Sequence, residues 1–377
     1  MWCRSLALLV LAAPAAAQAP DRDYIVLVAS EAVDLITRVR FGPGAGPTLA
    51  KVEATTKVGI TPMDPDGPHG LALAPDGRHY YVSTAHGVPF GYLWKLDART
   101  DAVVDKVELG NFPASAQVTP DGGYVYVVNF NLHGEMVPSS VSVVSTEPFV
   151  EVARIQTCAM PHGSRINSAG TRHYSACMMD DMLIEIDTRE MSVSRHFMLK
   201  KGSEHGMPGT PASGHEERGS SGGHGMEAPK PGPDTCSPTW AQPSADGRHI
   251  FVACNAANDI VEVDATSWAM TRRIPAGDGV YNLAPTRDGT LLVATNKRGK
   301  SVSIIDIASG KELARIPTQR RVVHGAVISP DDRYAFISVE GVGSEPGTVE
   351  MIDLRTRQRI ASVDVGQMAG GIDVVRN

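Results

Sequence analysis

One pattern recurs along this chain, and it restricts the fold more than any other feature. From Pro68 the sequence reads PHGLALAPDGRHYYVSTA, and from Pro113 PASAQVTPDGGYVYVVNF. Related stretches are PHGSRINSAGTRHYSACM from Pro161, PTWAQPSADGRHIFVACN from Pro238, YNLAPTRDGTLLVATN from Tyr281 and VHGAVISPDDRYAFISVE from Val323. Each is a short alternating strand, a Pro-Asp-Gly-type turn and a β-branched strand. Asp-Gly at the turn supplies the positive φ that a tight hairpin needs. A third strand follows each hairpin (YLWKLDART, SVSVVSTEP, MLIEIDTRE, IVEVDATSW, SVSIIDIAS, VEMIDLRTR), and then a fourth (VVDKVELG, EVARIQT, SVSRHFML, MTRRIPAG, ELARIPT, RIASVDVG). The turn glycines Gly77, Gly122, Gly170, Gly247 and Gly289 are 45, 48, 77 and 42 residues apart, so the long interval is one unit plus an insertion.

Six units are complete, and the chain ends hold the parts of a seventh. GGIDVVRN at the C-terminus reads as a first strand; DYIVLVAS, VDLITRVRF and AKVEATTKV near the N-terminus read as strands two to four. Sharing one sheet between the two ends closes a ring and leaves no open edge. The expectation is an all-β, seven-bladed β-propeller with four antiparallel strands per blade. The high glycine count (37) and low aromatic content (6%) suit many short strands joined by tight turns.

The ends of the second strands read YVSTA, YVVNF, FVACN and LVATN. In this the chain resembles the YVTN-type β-propeller repeat family, over nearly the whole length after the first segment. The resemblance implies the propeller fold and a periplasmic or surface protein; it does not assign a function.

Residues 1–17 carry Arg4, an apolar run from Leu6 to Ala13 and small residues at Ala15 and Ala17. This reads as a signal peptide cleaved after Ala17, followed by one propeller domain over residues 18–377. The run is too short to span a membrane, and no later segment is long and apolar enough. The expected location is the periplasm or the exterior. Loss of Arg4 takes the formal charge from −7 to −8, which offers nothing to a phosphate backbone, so nucleic acid is not an expected partner.

In a propeller the fourth-to-first and second-to-third connections lie on one face. Sorting residues by face places His69, His162 and His324, each before a glycine at the start of a first strand, at one tunnel mouth. His86, Cys177 and Cys254 at second-strand ends join them, with Cys158, Met160 and Cys236 from the connections. His79, His173 and His249 fall on the opposite face and read as structural. The insertion, residues 202–235, holds nine Gly, five Pro and four Ser. It reads as a flexible arm carrying His205, Met207, His215, His224 and Met226.

Imidazole, thioether and thiolate are the donors that suit copper. The expected site is therefore a soft-metal centre at that mouth, drawn from His69, His86, His162, His324, Cys158, Cys177, Cys236, Cys254, Met160, His205, Met207, His224 and Met226, with the arm delivering or capping the metal. Two readings of the cysteines stand: disulfides Cys158–Cys177 and Cys236–Cys254, one within each blade, or thiolate ligands. No P-loop, H-E-x-x-H or C-x-x-C-H motif occurs. Three functions remain: a propeller binding copper or a copper-bearing partner, a copper- or cofactor-dependent oxidoreductase at the same mouth, or a non-catalytic interaction scaffold. The first is the main expectation, with a protein or a small ligand as partner.

Overall fold

A computed structural model describes residues 19–60, 65–86, 90–132, 134–211 and 232–375. The expected signal segment 1–17 lies outside them, as do His133, His215, His224 and Met226. Seven antiparallel sheets form the ring. Their innermost strands, from blade 1 to blade 7, are Ala369–Val374, Pro68–Leu73, Pro113–Val118, Pro161–Ile166, Pro238–Pro243, Val280–Pro285 and Val322–Ile328. We call the strands of each blade A to D from the tunnel outward.

Blade 1 is shared between the chain ends, as the sequence predicts: Ala369–Val374 pairs with Tyr24–Ser30 through Val26↔Val374 and Val28↔Ile372. The recurrent turn residue also behaves as its chemistry requires. Gly77, Gly122, Gly170, Gly247 and Gly289 all have φ between 68° and 76°, and in blade 7 Asp332 occupies the same turn at φ 57°. Apolar residues of strands B and C pack between blades, with Val26, Val82, Val127, Ala176, Val252, Val293 and Ile337 at no more than 0% exposure.

The insertion begins differently from the expected flexible arm. His205–Pro208 is a fifth strand on the outer edge of blade 4, paired with Ser192–Met198 through Met198↔His205 and His196↔Met207. Gly206 crosses Trp268 so closely that a Cβ there would lie 2.3 Å from the indole. Glu204 and Arg273 (2.7 Å) tie the same segment to blade 5.

The four cysteines among the described residues are in disulfides: Cys236–Cys254 braces blade 5, whereas Cys158–Cys177, expected within one blade, instead ties the outermost strand of blade 3, Phe149–Ala159, to blade 4. The thiolate reading of these residues is thereby corrected. The register explains the pairing: Pro161 faces Cys177 and Pro238 faces Cys254, so each first cysteine sits two or three residues before its partner's cross-strand neighbour. Cys236–Cys254 closes a loop with a sequence separation of 18. By loop-closure entropy, Cys236→Ser/Cys254→Ser should lower the unfolding free energy by about 3 kcal/mol. Urea unfolding with both disulfides intact in the reference protein measures this.

Candidate functional site

The site follows from two positions that every blade repeats. The second residue of strand A, or the third in blade 7 where the strand starts one residue earlier, points to the tunnel, and from blade 1 to blade 7 these residues are Gly370, His69, Ala114, His162, Thr239, Tyr281 and His324. Four rings share this level with three small residues, Tyr281 and His324 standing next to each other, and the rings fill the tunnel. His69 and His324 lie 5.5 Å apart across Gly370, and His69 and His162 5.9 Å apart across Ala114. Tyr281 is 5.2 Å from His162 and 4.9 Å from His324.

The residue after strand B, or in blade 7 the strand's own last residue, forms a second layer above the first. Around the ring it reads Glu31, Ala85, Phe130, Met178, Asn255, Lys297 and Glu340. Blades 6, 7 and 1 thus set three charged side chains over the imidazoles, while blades 2 to 4 set apolar ones. Lys297 Nζ is 3.2 Å from Glu340 and 4.3 Å from the Tyr281 ring centroid. Glu340 Oε1 is 3.9 Å from His324 Nε2, and Glu31 Oε2 is 3.7 Å from His69 Nδ1, both beyond hydrogen-bond reach. Glu31 Oε1 is bonded to His86 Nε2 at 2.5 Å.

Burial makes the three imidazoles neutral. It lowers His69, holds His324 well below its ordinary value and brings His162 to about 3, with neighbouring charges and rings as lesser causes. For Glu31, burial raises the carboxyl, but His69 and His86 outweigh it and the net shift is downward. For Glu340, burial prevails over Lys297 and the shift is upward. Lys297 is desolvated, yet Tyr281 and Glu340 raise its pKa.

The neutral rings are not equivalent. His162 Nδ1 donates to the Thr239 carbonyl at 2.9 Å, so its Nε2 is the acceptor for Tyr281 Oη, also at 2.9 Å. Both of its nitrogens are used. His69 Nδ1 and His324 Nδ1 are buried without a hydrogen-bond partner, and so is Asn282 Oδ1 one residue along the tunnel from Tyr281. Two lone-pair-capable nitrogens therefore flank Gly370, where an added Cβ would still be 3.6 Å from each ring.

Of the residues expected at this mouth, the structure brings together His69, His162 and His324, with His86 at the rim. Met160 is buried in an apolar cluster with Phe112, Phe130 and the Cys158–Cys177 bridge, which makes it a packing residue there. His205 and Met207 are elsewhere. They lie four strands out from the tunnel, roughly 19 Å by strand spacing, so this part of the insertion does not cap the mouth. His173, expected to be structural, is fully buried against Tyr126. Sequence reasoning missed Glu31, Tyr281 and Lys297. Superposing the blades position by position is the signal that finds them. Among the described residues, no group of three or more His, Cys, Asp or Glu side chains is arranged to hold a metal ion.

No family model matches the chain. One curated relative, Antigen Lp49 of Leptospira interrogans, is 33% identical over 79 residues, covering 18% of this chain and 17% of that protein. Solved structures are similar over much more. Hydrazine synthase of Kuenenia stuttgartiensis matches with a TM-score of 0.62 at 21% identity, over 85% of this chain and 99% of that one. The periplasmic gluconolactonase PpgL of Pseudomonas aeruginosa matches with 0.67 at 18% identity, over 94% and 99%. A protein of unknown function from Desulfotomaculum acetoxidans gives 0.64 at 14%, over 93% and 98%. At these identities the likeness is one of fold.

Proposed function

We propose that this propeller is a binding protein that takes copper, or a copper-bearing partner, at the histidine mouth of its tunnel. The observation that carries the reading is the pair of buried, neutral imidazoles, His69 and His324, whose Nδ1 atoms have no hydrogen-bond partner. A neutral imidazole with an open nitrogen is the form that ligates metals. With the sulfurs in disulfides, the donors left are imidazole and carboxylate, and among divalent first-row ions copper(II) binds such sets most tightly. Glu31 and Glu340 behind the two rings outnumber Lys297 beside them and leave that layer a net negative charge, which favours a cation, and the rings have to close in on the ion. Two disulfides and a signal-like leader fit an oxidising compartment.

Metal titration of the mature protein without tag histidines tests this. One copper per chain is expected, with affinity falling about 100-fold or more in His69→Ala/His324→Ala. Copper that survives this change but disappears when residues 212–231 are removed would place the site in the insertion and end the proposal. A second reading, chemistry on a small molecule at the same mouth, is favoured by the Lys297–Glu340 pair beside the Tyr281–His162 hydrogen bond. Hydrolysis of gluconolactone, suggested by one structural neighbour, would support it.

A further inference from the structure

The tunnel has another side. Beyond the imidazole layer the inner strands leave a small chamber, with room for about two waters, lined by Ser115, Trp240, Asn282 and the undersides of His69 and His324. Arg165 closes it, and with the imidazoles neutral it is the one charged side chain among the residues lining it. Its guanidinium lies 4.2 Å over the Trp240 ring and donates to the Ser164 carbonyl at 2.8 Å. That stacking fixes the plane of the guanidinium within the tunnel.

Past Arg165 the tunnel widens to the opposite face as a cavity of about 430 Å³. Its wall is mixed: Leu71, Leu73, Val118, Leu283 and Ile328 line it together with Gln117, Asn167, Gln242 and Arg287. Asp373 also borders it, but its carboxylate oxygens already accept from the backbone N–H groups of Leu73 and Val374. The volume is that of a small-molecule site. A fixed cation at the narrow end of a funnel that carries these aliphatic side chains recognises an acid with an apolar segment. Asn282 adds a second requirement: it is 3% exposed, and its Oδ1 has no donor. A buried acceptor left without a donor is costly, and a ligand hydroxyl next to the acid group answers it.

We infer that this end of the tunnel binds a 2-hydroxycarboxylic acid. Its carboxylate meets Arg165, its hydroxyl donates to Asn282, and its chain lies along the funnel. The site faces away from Glu31 and Glu340 and does not depend on copper, so it is tested on metal-free protein. The probe is 2-hydroxyhexanoate, followed by calorimetry and by the fluorescence of Trp240, with hexanoate and 1-hexanol as comparisons. Saturable binding is expected, at least about tenfold weaker in Arg165→Gln and restored in part by Arg165→Lys. In Asn282→Leu the preference for 2-hydroxyhexanoate over hexanoate should vanish, while hexanoate still binds. Absence of saturable binding in the wild-type protein, or binding that Arg165→Gln leaves unchanged with the fold intact by circular dichroism, overturns the inference.

Discussion

A chain ending at Val365 should fail to form a cooperative ring. The segment Ala369–Val374 is the innermost strand of blade 1, and it is held from three blades. It pairs with Tyr24–Ser30, Asp373 Oδ2 accepts the Leu73 N–H of blade 2 at 2.9 Å, and the Gly370 carbonyl accepts Ser338 Oγ of blade 7. Its loss uncovers Val26, Leu27 and Val28, which are at most 1% exposed, and removes Ile372 and Val374 from the core. At about 1.5–3 kcal/mol for each side chain the loss is roughly 10 kcal/mol, comparable with the whole stability of an ordinary domain. Tyr24–Ser30 is also left as an unpaired edge, open to association with other chains. Size-exclusion chromatography and thermal unfolding of the 1–365 chain should show aggregate and no cooperative transition. A synthetic peptide of residues 366–377 added in trans should recover part of it. A sharp transition within a few degrees of the full chain would show that the ring does not need its closing strand.

That strand is also the clearest case of what could be read directly from the sequence. GGIDVVRN matches the first strand of the repeat, and blade counting leaves it no partner except the N-terminal segment. The turn glycines are legible for the same local reason, because φ near 70° excludes most side chains. The functional layer is different. Glu31 and Lys297 are ordinary charged residues in their own stretches, and only the register of seven sheets puts them at one level with Glu340. His205-Gly206-Met207 misled for the opposite reason. Its neighbours in sequence are Gly, Pro and Ser, yet its conformation is set by Ser192–Met198 beside it and Trp268 beneath it, both fixed by tertiary packing. The cysteines carried two meanings until pairing geometry chose one.

Acid should destabilise this protein unusually early. His162 and His173 are buried, and burial is the first cause that brings each to a pKa of about 3. In the unfolded chain both titrate near 6.5. The unfolded state therefore takes up protons as pH falls below 6.5, and the folded state does not follow until about 3. Stability present above 6.5 is lost across that window. Between pH 7 and pH 5 the two histidines together account for roughly 4 kcal/mol, and His69 and His324, shifted in the same direction, add to it. Glu340 works the other way: its pKa is raised by burial, so it gains relative stability as pH falls through its folded value. A variant separates these contributions. His173 stacks on Tyr126 at 5.1 Å with neither ring nitrogen hydrogen-bonded, and it is not one of the imidazoles of the tunnel. His173→Asn cannot take up the proton, so its loss between pH 7 and pH 5 should be smaller by about 2 kcal/mol, one proton less in the slope. Urea unfolding at both pH values on both proteins decides the matter. Equal pH slopes in the two would mean that His173 is protonated in the folded state, and the account of these buried rings as neutral would have to be given up, together with the ligand chemistry built on their open nitrogens.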